Sequence, residues 1–219
     1  SWSERIPAGR FKMGGDPDAW NAWNGGEFEL AYDFWIAKYP VTYLQFQAFI
    51  DDKNGFSNPE WWQGLAAAEA HKTMPGNQQF QLHNHPRENV SWYDAVAFCR
   101  WLTFESKFDP DICDPVTRSL LMEQDWEIRL PSEWEWQMAA TGGNPQNKFP
   151  WGMDWDDTLA HTKHNQLNHS MAVGMYPAGV SPIGAFDMSG NVWEWCLNSY
   201  EDPGDINLSS ADRRVLRGG

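Results

Sequence analysis

The sequence predicts a mixed α+β fold with two main helices, many short strands and long irregular loops. Two segments carry helix-capping signals followed by apolar residues at helical spacing. The rest of the chain is interrupted by 14 Pro and 18 Gly, a composition typical of loops and turns. With 219 residues, of which 42% are hydrophobic, the chain suits a single domain with a sizeable core.

The first part of the chain predicts two strands and one short helix. Phe11 to Met13 and Phe28 to Ile36 have the pattern of strands, separated by a Gly/Asn/Asp-rich loop from Gly14 to Gly26. Thr42 is a good N-cap and predicts a helix over Tyr43 to Asp51. The following region is irregular, with one or two helical turns expected in the Ala-rich stretch at residues 66–70.

Two capping boxes mark the main helices. Ser91 is followed by Asp94, and Ser132 is followed by Glu135, the spacing at which side chain and backbone cap each other. Gly142-Gly143 is expected to end the second helix. The apolar residues then fall on one face of each helix: Ala95, Phe98, Cys99 and Leu102 in the first, and Trp136, Ala139 and Ala140 in the second.

An acidic segment at about 103–128 separates the two helices, and a short helix is predicted within it over Val116 to Asp125. After Gly152 the chain is expected to form loops and short strands. The segment also carries large apolar residues: Phe104, Phe108, Leu120, Leu121, Met122 and Trp126.

Fifteen Trp are dispersed along the chain, which favours a core packed with large rings over one aromatic groove. The predicted core includes Trp136, Trp193, Trp195, Phe98 and Leu130. An aromatic ligand groove remains the alternative for some of the rings.

Charge and hydropathy exclude several classes of protein. A net charge of −14 and a pI near 4.7 argue against binding to nucleic acid. The chain contains no apolar run of about 18 residues, the length that a membrane span requires. Ser1 to Arg5 do not have the pattern of a signal peptide. The sequence therefore predicts a soluble protein that does not bind membranes, and it leaves the compartment and oligomeric state open.

The run from Gly184 to Trp195 has the richest chemistry. Gly190-Asn191 favours a turn with positive φ, and the two Trp that follow would share one face of an extended strand. Asp187 and Glu194 flank the turn and could offer hard oxygen ligands to one cation. The alternative is a Trp-rich turn with two solvated acids.

This run resembles the signature of the formylglycine-generating enzyme family, also called the sulfatase-modifying-factor family. The resemblance implies a C-type-lectin-like fold, formed by a single domain over residues 1–219 with an insertion at about 103–128, because the family's connection there is usually much shorter. Six other segments resemble the family in the same order: Ile6 to Gly14, Tyr39 to Phe46, Asn89 to Leu102, Arg129 to Trp136, Phe149 to Gly152 and Arg214 to Gly219.

The resemblance also implies one structural Ca²⁺. Asp187, Gly190, Val192 and Glu194 align with residues that bind Ca²⁺ in formylglycine-generating enzymes, where Asn replaces Asp187. Val192 would contribute only its carbonyl oxygen. A second calcium site of the family is not expected, because the loop over residues 161–171 is shorter and lacks the matching Asn and Asp.

Family members that make formylglycine use a copper-binding pair of cysteines downstream of the Arg-Gly-Gly motif. The chain ends at Gly218-Gly219, so the family's C-terminal part is expected to be absent, and copper is expected only where that part carries the pair. Cys99, Cys113 and Cys196 match neither cysteine of the pair and do not suggest a disulfide scaffold. No catalytic or cofactor-binding residue is assigned within residues 1–219.

The histidines do not predict an iron site. A related sulfoxide synthase binds iron through a His-x-x-x-His pattern in an additional helical domain, and this chain lacks that pattern. We expect the histidines to lie in surface positions or loops. They are His83, His85, His161, His164 and His169 among the six in the chain.

Two classes of function remain. The preferred class is a binding or accessory domain with a protein or peptide ligand, as in the variable proteins of diversity-generating retroelements, which share the fold. The alternative is an O₂-dependent copper oxidase that converts a protein cysteine to formylglycine, with its cysteines in a segment after Gly219. The residues that follow Gly219 would distinguish the two classes.

Overall fold

The computed structural model describes residues 1–13, 26–67, 72, 75–123, 126–163 and 168–219. The helices in these ranges are α1 (Tyr43–Asp51), α2 (Trp92–Phe108), α3 (Pro115–Glu123) and α4 (Glu133–Thr141). The strands are β1 (Gly9–Met13), β2 (Gly26–Leu30), β3 (Glu194–Ser199) and β4 (Arg214–Arg217). β1 pairs antiparallel with β2, and β3 pairs antiparallel with β4. Two short 3₁₀ helices lie at Pro59–Trp62 and Pro177–Gly179.

Local capping signals determine where the helices begin. The side chains of Thr42, Ser91 and Ser132 each accept a hydrogen bond from the backbone N–H three residues later, and the reciprocal bonds complete three capping boxes. α4 ends at Gly142, which has φ 65° as a left-handed C-cap. The helices predicted at 43–51, after Ser91 and after Ser132 are therefore confirmed.

The two shorter helical predictions have different outcomes. α3 begins at Pro115, one residue earlier than predicted, because Asp114 Oδ1 accepts from the N–H groups of Val116 and Thr117 at 3.0 Å each. The predicted end of this helix, Asp125, lies outside the described residues. Ala66 and Ala67 are not helical, and the rest of the Ala-rich stretch lies outside the described residues, as do residues 14–25 of the predicted loop.

The second predicted strand is shorter than the sequence indicated. β2 ends at Leu30, and in the rest of the predicted strand, up to Ile36, only Phe34 makes an isolated antiparallel bridge, to Ile6. Between these points Asp33 Oδ1 accepts a hydrogen bond from the backbone N–H of Ala8 at 2.8 Å. A side chain thus replaces a backbone partner, and the regular ladder stops.

Two apolar clusters lie on either side of β3. The first contains β1, β2 and α4, with Cys196 as the β3 residue that packs into it. The second lies between α1, the first 3₁₀ helix and α2, and it includes Leu197 from β3. Adjacent residues of β3 therefore face different clusters, as the alternation of a strand requires. The rings of Phe46 and Phe98 stack in the second cluster at 5.2 Å.

The predicted core residues divide into three groups. Trp136 and Phe98 are buried, with 5% and 4% of their surface exposed, which confirms them. Trp195 and Leu130 are half-buried and pack against the second cluster. The prediction for Trp193 is wrong, because its side chain is 63% exposed. β3 begins at Glu194, so Trp193 precedes the strand and does not share its alternation.

Among the described residues, no helix combines the length and hydropathy that crossing a membrane would need.

Candidate cation site and binding pocket

The turn before β3 has the backbone conformation that its sequence predicted. Asp187, Gly190 and Asn191 have φ values of 57°, 87° and 65°. The N–H of Gly190 donates to the carbonyl of Gly218 at 2.6 Å, and the N–H of Asn191 donates to that of His161 at 2.7 Å. A Cβ atom at position 190 would overlap the His161 carbonyl. Only glycine fits this position without displacing the backbone.

Side chains of the turn hold a neighbouring loop in place. Asn191 Oδ1 accepts from the N–H of Met171 at 2.9 Å, and Asn191 Nδ2 donates to the Met171 carbonyl at 3.2 Å. Asp187 Oδ2 accepts from the N–H of Gly174 at 2.8 Å. The turn and the segment at residues 171–174 therefore form one hydrogen-bonded unit.

The two carboxyl groups predicted as cation ligands are half-buried and electrostatically unfavourable as anions. The pKa of Glu194 is raised to about 7, chiefly by burial and also by the nearby charge of Asp187, although a hydrogen bond from Trp136 Nε1 at 2.9 Å opposes the shift. Burial also raises the pKa of Asp187, against hydrogen bonds from Gly174 and Asn191. In the described part of the chain, no Lys or Arg forms an ion pair with either group.

The oxygen atoms of these residues are of the type that binds a hard cation such as Ca²⁺. Two carboxylates that lack a basic partner would be stabilised by a positive ion, and backbone carbonyls are its other preferred ligands. The Gly190 carbonyl accepts one hydrogen bond, from Val192 N at 2.9 Å, and keeps a second lone pair. The Val192 carbonyl lies 3.6 Å from where a Cβ of Gly218 would be. Among described residues, no cluster of three or more His, Cys, Asp or Glu could hold a metal, so a cation here would need these carbonyls.

The three cysteines are single thiols in separate parts of the fold. Cys99 lies on α2 and is buried, which raises the pKa of its thiol to about 12. Cys196 lies on β3, where burial raises the pKa of its thiol well above its usual value. Cys113 is half-buried between α2 and α3, and its Sγ donates to the Ser106 carbonyl at 3.3 Å. None of them forms a disulfide.

The four histidines among the described residues lie in loops, as expected, but two of them are buried rather than on the surface. His85 Nδ1 lies 3.4 Å from Ser170 Oγ, and burial lowers the pKa of His85. His161 Nε2 lies 2.8 Å from the His169 carbonyl. His83 is exposed, and His164 lies outside the described residues. The buried rings contact the loops that support the turn.

The structure also contains a small pocket that the sequence did not reveal. Its volume is about 240 Å³, and Arg214 forms one wall, with its guanidinium 4.0 Å above the ring of Trp92. Arg214 also donates to the carbonyls of Leu197, Asn207 and Ser210, which fixes its position. The lining residues are Ser91, Trp92, Tyr93, Trp195, Asp212, Arg213 and Arg214.

A family model described as the sulfatase-modifying factor enzyme 1-like domain matches residues 4–219. The chain therefore belongs to this family, and the resemblance inferred from the motifs is confirmed. The fold is C-type-lectin-like, as predicted. Variable protein 1 of Treponema denticola superposes over the whole chain and 82% of its own length, with a TM-score of 0.65 and 23% identity.

Relatives with quite different names match nearly the whole chain. Formylglycine-generating enzyme of Thermomonospora curvata is 28% identical over 97% of the chain and 76% of its own length. Inactive C-alpha-formylglycine-generating enzyme 2 of Mus musculus is 27% identical over 97% of the chain and 72% of its own length. Hercynine oxygenase of Mycolicibacterium smegmatis is 26% identical over 98% of the chain, which spans about half (53%) of that protein.

Proposed function

We propose that this chain is a binding domain of the sulfatase-modifying-factor family and that its ligand is a protein or peptide. The observation that carries the proposal is the pocket beside β3 and β4. It combines three aromatic rings with an exposed Asp212 and an exposed Arg213, so it offers both apolar contact and charge. Ligand sites typically combine an apolar lining with a few fixed polar groups in this way.

The size of the pocket favours a side chain over a whole small molecule. Its volume of about 240 Å³ is below the range of roughly 300–1,000 Å³ that is typical of small-molecule and cofactor sites. Trp193, which immediately precedes β3 and is 63% exposed, provides a further apolar surface at the start of this strand. Exposed Trp and Arg are the residue types that most often dominate protein interfaces.

A structural Ca²⁺ is part of the proposal. Asp187 and Glu194 would supply carboxylate oxygens, and Gly190 and Val192 would supply carbonyl oxygens. The ion would neutralise two half-buried carboxylates and stabilise the turn from which β3 and Trp193 continue. The raised pKa of both carboxyl groups supports this assignment.

A copper oxidase that forms formylglycine is the second candidate, and the Thermomonospora curvata relative favours it. Two of the three thiols in residues 1–219 are buried with raised pKa, whereas a copper site needs accessible thiolates. Oxidase function would therefore require thiols from outside these residues. The relative named as inactive supports the view that family membership alone does not establish catalysis.

Peptide display on the purified chain, followed by affinity measurement, tests the binding proposal. Arg213→Ala should weaken binding of the selected peptide about tenfold, because the substitution removes a charged wall of the pocket. Arg10→Ala is a matched control, since its side chain is 76% exposed and pairs with exposed Glu29, as Arg213, 74% exposed, pairs with Glu201. Failure to select any peptide, or equal losses in both variants, would contradict the proposal.

The oxidase alternative has a separate test. The purified chain is incubated with Cu(I), O₂ and a cysteine-containing sulfatase peptide, and aldehyde formation is followed by mass spectrometry. We expect the peptide thiol to remain intact. Aldehyde formation by residues 1–219 alone would overturn the inference that oxidase function requires thiols from outside these residues.

A further inference from the structure

The hairpin of α2 and α3 presents an apolar surface to solvent. Within α3, Leu121 is buried. The rings of Phe104 and Phe108 contact each other at 4.8 Å, and Phe108 is 63% exposed. Five large exposed apolar residues lie within this short stretch: Phe104, Phe108, Ile112, Val116 and Met122.

A groove of about 490 Å³ runs along α3. Four of its lining residues, Pro115, Arg118, Ser119 and Met122, follow the spacing i, i+3, i+4 and i+7, so they form one face of the helix. Pro110 and Cys113 line it from the loop before α3, and Glu123 lines its far end. Val116 lies on a different face of the same helix and does not line the groove.

The groove is lined by one basic residue, Arg118, whose Nε donates to the Lys107 carbonyl at 3.0 Å, and acidic residues outnumber it in and beside the groove. Asp111 and Asp114 are exposed and lie between the lining residues of the loop, and Glu123 is also exposed. Hydrogen bonds from Thr117 lower the pKa of Asp114, which keeps it charged. The whole chain carries a net charge of −14. A second copy would therefore bring like charge to the groove, whereas a basic partner would be attracted.

We propose that this groove binds a cationic amphipathic helix of a partner protein. Apolar side chains on one face of the helix would contact Met122, Pro115 and Pro110, and its Lys or Arg residues would lie near Asp111, Asp114 and Glu123. An apolar helix face in a groove is a common mode of peptide recognition, and the volume lies within the range of about 300–1,000 Å³ for ligand sites. The groove shares no residue with the pocket beside β3 and β4.

Cys113 provides a reporter inside the groove. It is the one cysteine of the three that is not buried, so a thiol reagent should modify it before Cys99 or Cys196. A helix in the groove should slow this modification in the wild-type protein. This readout requires no substitution and therefore does not depend on the folding of a variant.

The test uses a helical peptide of Leu and Lys with one apolar face, and a Leu/Glu peptide of the same pattern as the charge control. The Leu/Lys peptide should bind, slow alkylation of Cys113 and bind more weakly at high salt. Met122→Asp should weaken binding about tenfold, whereas Val116→Asp should leave it nearly unchanged. Both residues are exposed, at 61% and 71%, so neither substitution disturbs the core.

Several results would overturn the proposal. One is binding without protection of Cys113, and another is equal loss in the Met122 and Val116 variants. Equal binding of the Leu/Glu peptide would show that charge does not select the partner. Self-association of the chain that Met122→Asp abolishes would assign the groove to a second copy instead.

Discussion

The chemistry of Glu194 depends strongly on its surroundings. Its carboxyl group is half-buried beside Asp187, and its pKa is raised to about 7 from an ordinary value of 4.5. The folded protein therefore binds this proton more tightly than the unfolded chain. Without a cation, the free energy of unfolding should fall as pH rises from about 4.5 to about 7.

Ca²⁺ should offset this loss of stability at higher pH, because it favours the ionised carboxylates. We expect Ca²⁺ to raise the melting temperature more at pH 8 than at pH 5, measured against EDTA. Glu194→Gln should remove most of the Ca²⁺ effect, whereas Glu201→Gln, at an exposed site, should retain it. An identical Ca²⁺ response in wild type and Glu194→Gln would exclude Glu194 as a ligand.

Two glycines of the same segment allow the cost of backbone strain to be measured separately from the cost of steric overlap. Gly184 and Gly190 have nearly equal φ values of 84° and 87°, but a Cβ at 184 would meet no atom within 4 Å, whereas one at 190 would overlap the His161 carbonyl. Gly184→Ala should cost about 1–2 kcal/mol, the penalty for left-handed backbone. Gly190→Ala should lower the free energy of unfolding, measured in urea, by clearly more. Equal costs would mean that the turn moves freely away from His161.

At the scale of the elements, the start of β3 determines which Trp is structural. Trp136 on α4 is buried and donates to Glu194, whereas Trp193 lies before the strand. Trp136→Ala should cost about 3–5 kcal/mol, as for a buried ring. Trp193→Ala should cost no more than about 0.5 kcal/mol, as at most surface positions. A large loss of stability in the Trp193 variant would mean that the start and register of β3 described here are wrong.

The helices were predictable because their signals are local. Ser91 with Asp94 and Ser132 with Glu135 specify helix starts within four residues of sequence. Strand ends were less predictable because they depend on distant partners. β2 stops where Asp33 bonds to Ala8, and the pairing of β3 begins where Glu194 meets Arg217.

The same distinction applies to the sites. The Gly190-Asn191 turn was predictable from two adjacent residues, and the structure confirms its positive φ values. The pocket beside β3 and β4 was not predictable, because Tyr93 and Arg213 are brought together only by the tertiary fold. The groove on α3 was missed for a related reason: the apolar residues of the insertion were visible, but not which of them remain exposed.

At the scale of the whole molecule, β3 connects the two apolar clusters with the pocket beside β3 and β4. Cys196 packs into one cluster, Leu197 into the other, and Trp195 lines the pocket. The carbonyl of Cys196 also accepts from Trp92 Nε1 at 3.0 Å, which ties α2 to the strand. The pocket therefore rests on the most buried part of the fold and should keep its shape when a ligand binds.

Hydrogen–deuterium exchange with the display-selected peptide tests this account most directly. Binding at the pocket should slow exchange of backbone amides at residues 91–93 and 212–214, and leave β1 and β2 unchanged. These two segments are far apart in sequence and meet at the pocket. Protection at both segments is the predicted result. Protection confined to other segments, or no protection at saturating peptide, would contradict the assignment of this pocket as the binding site.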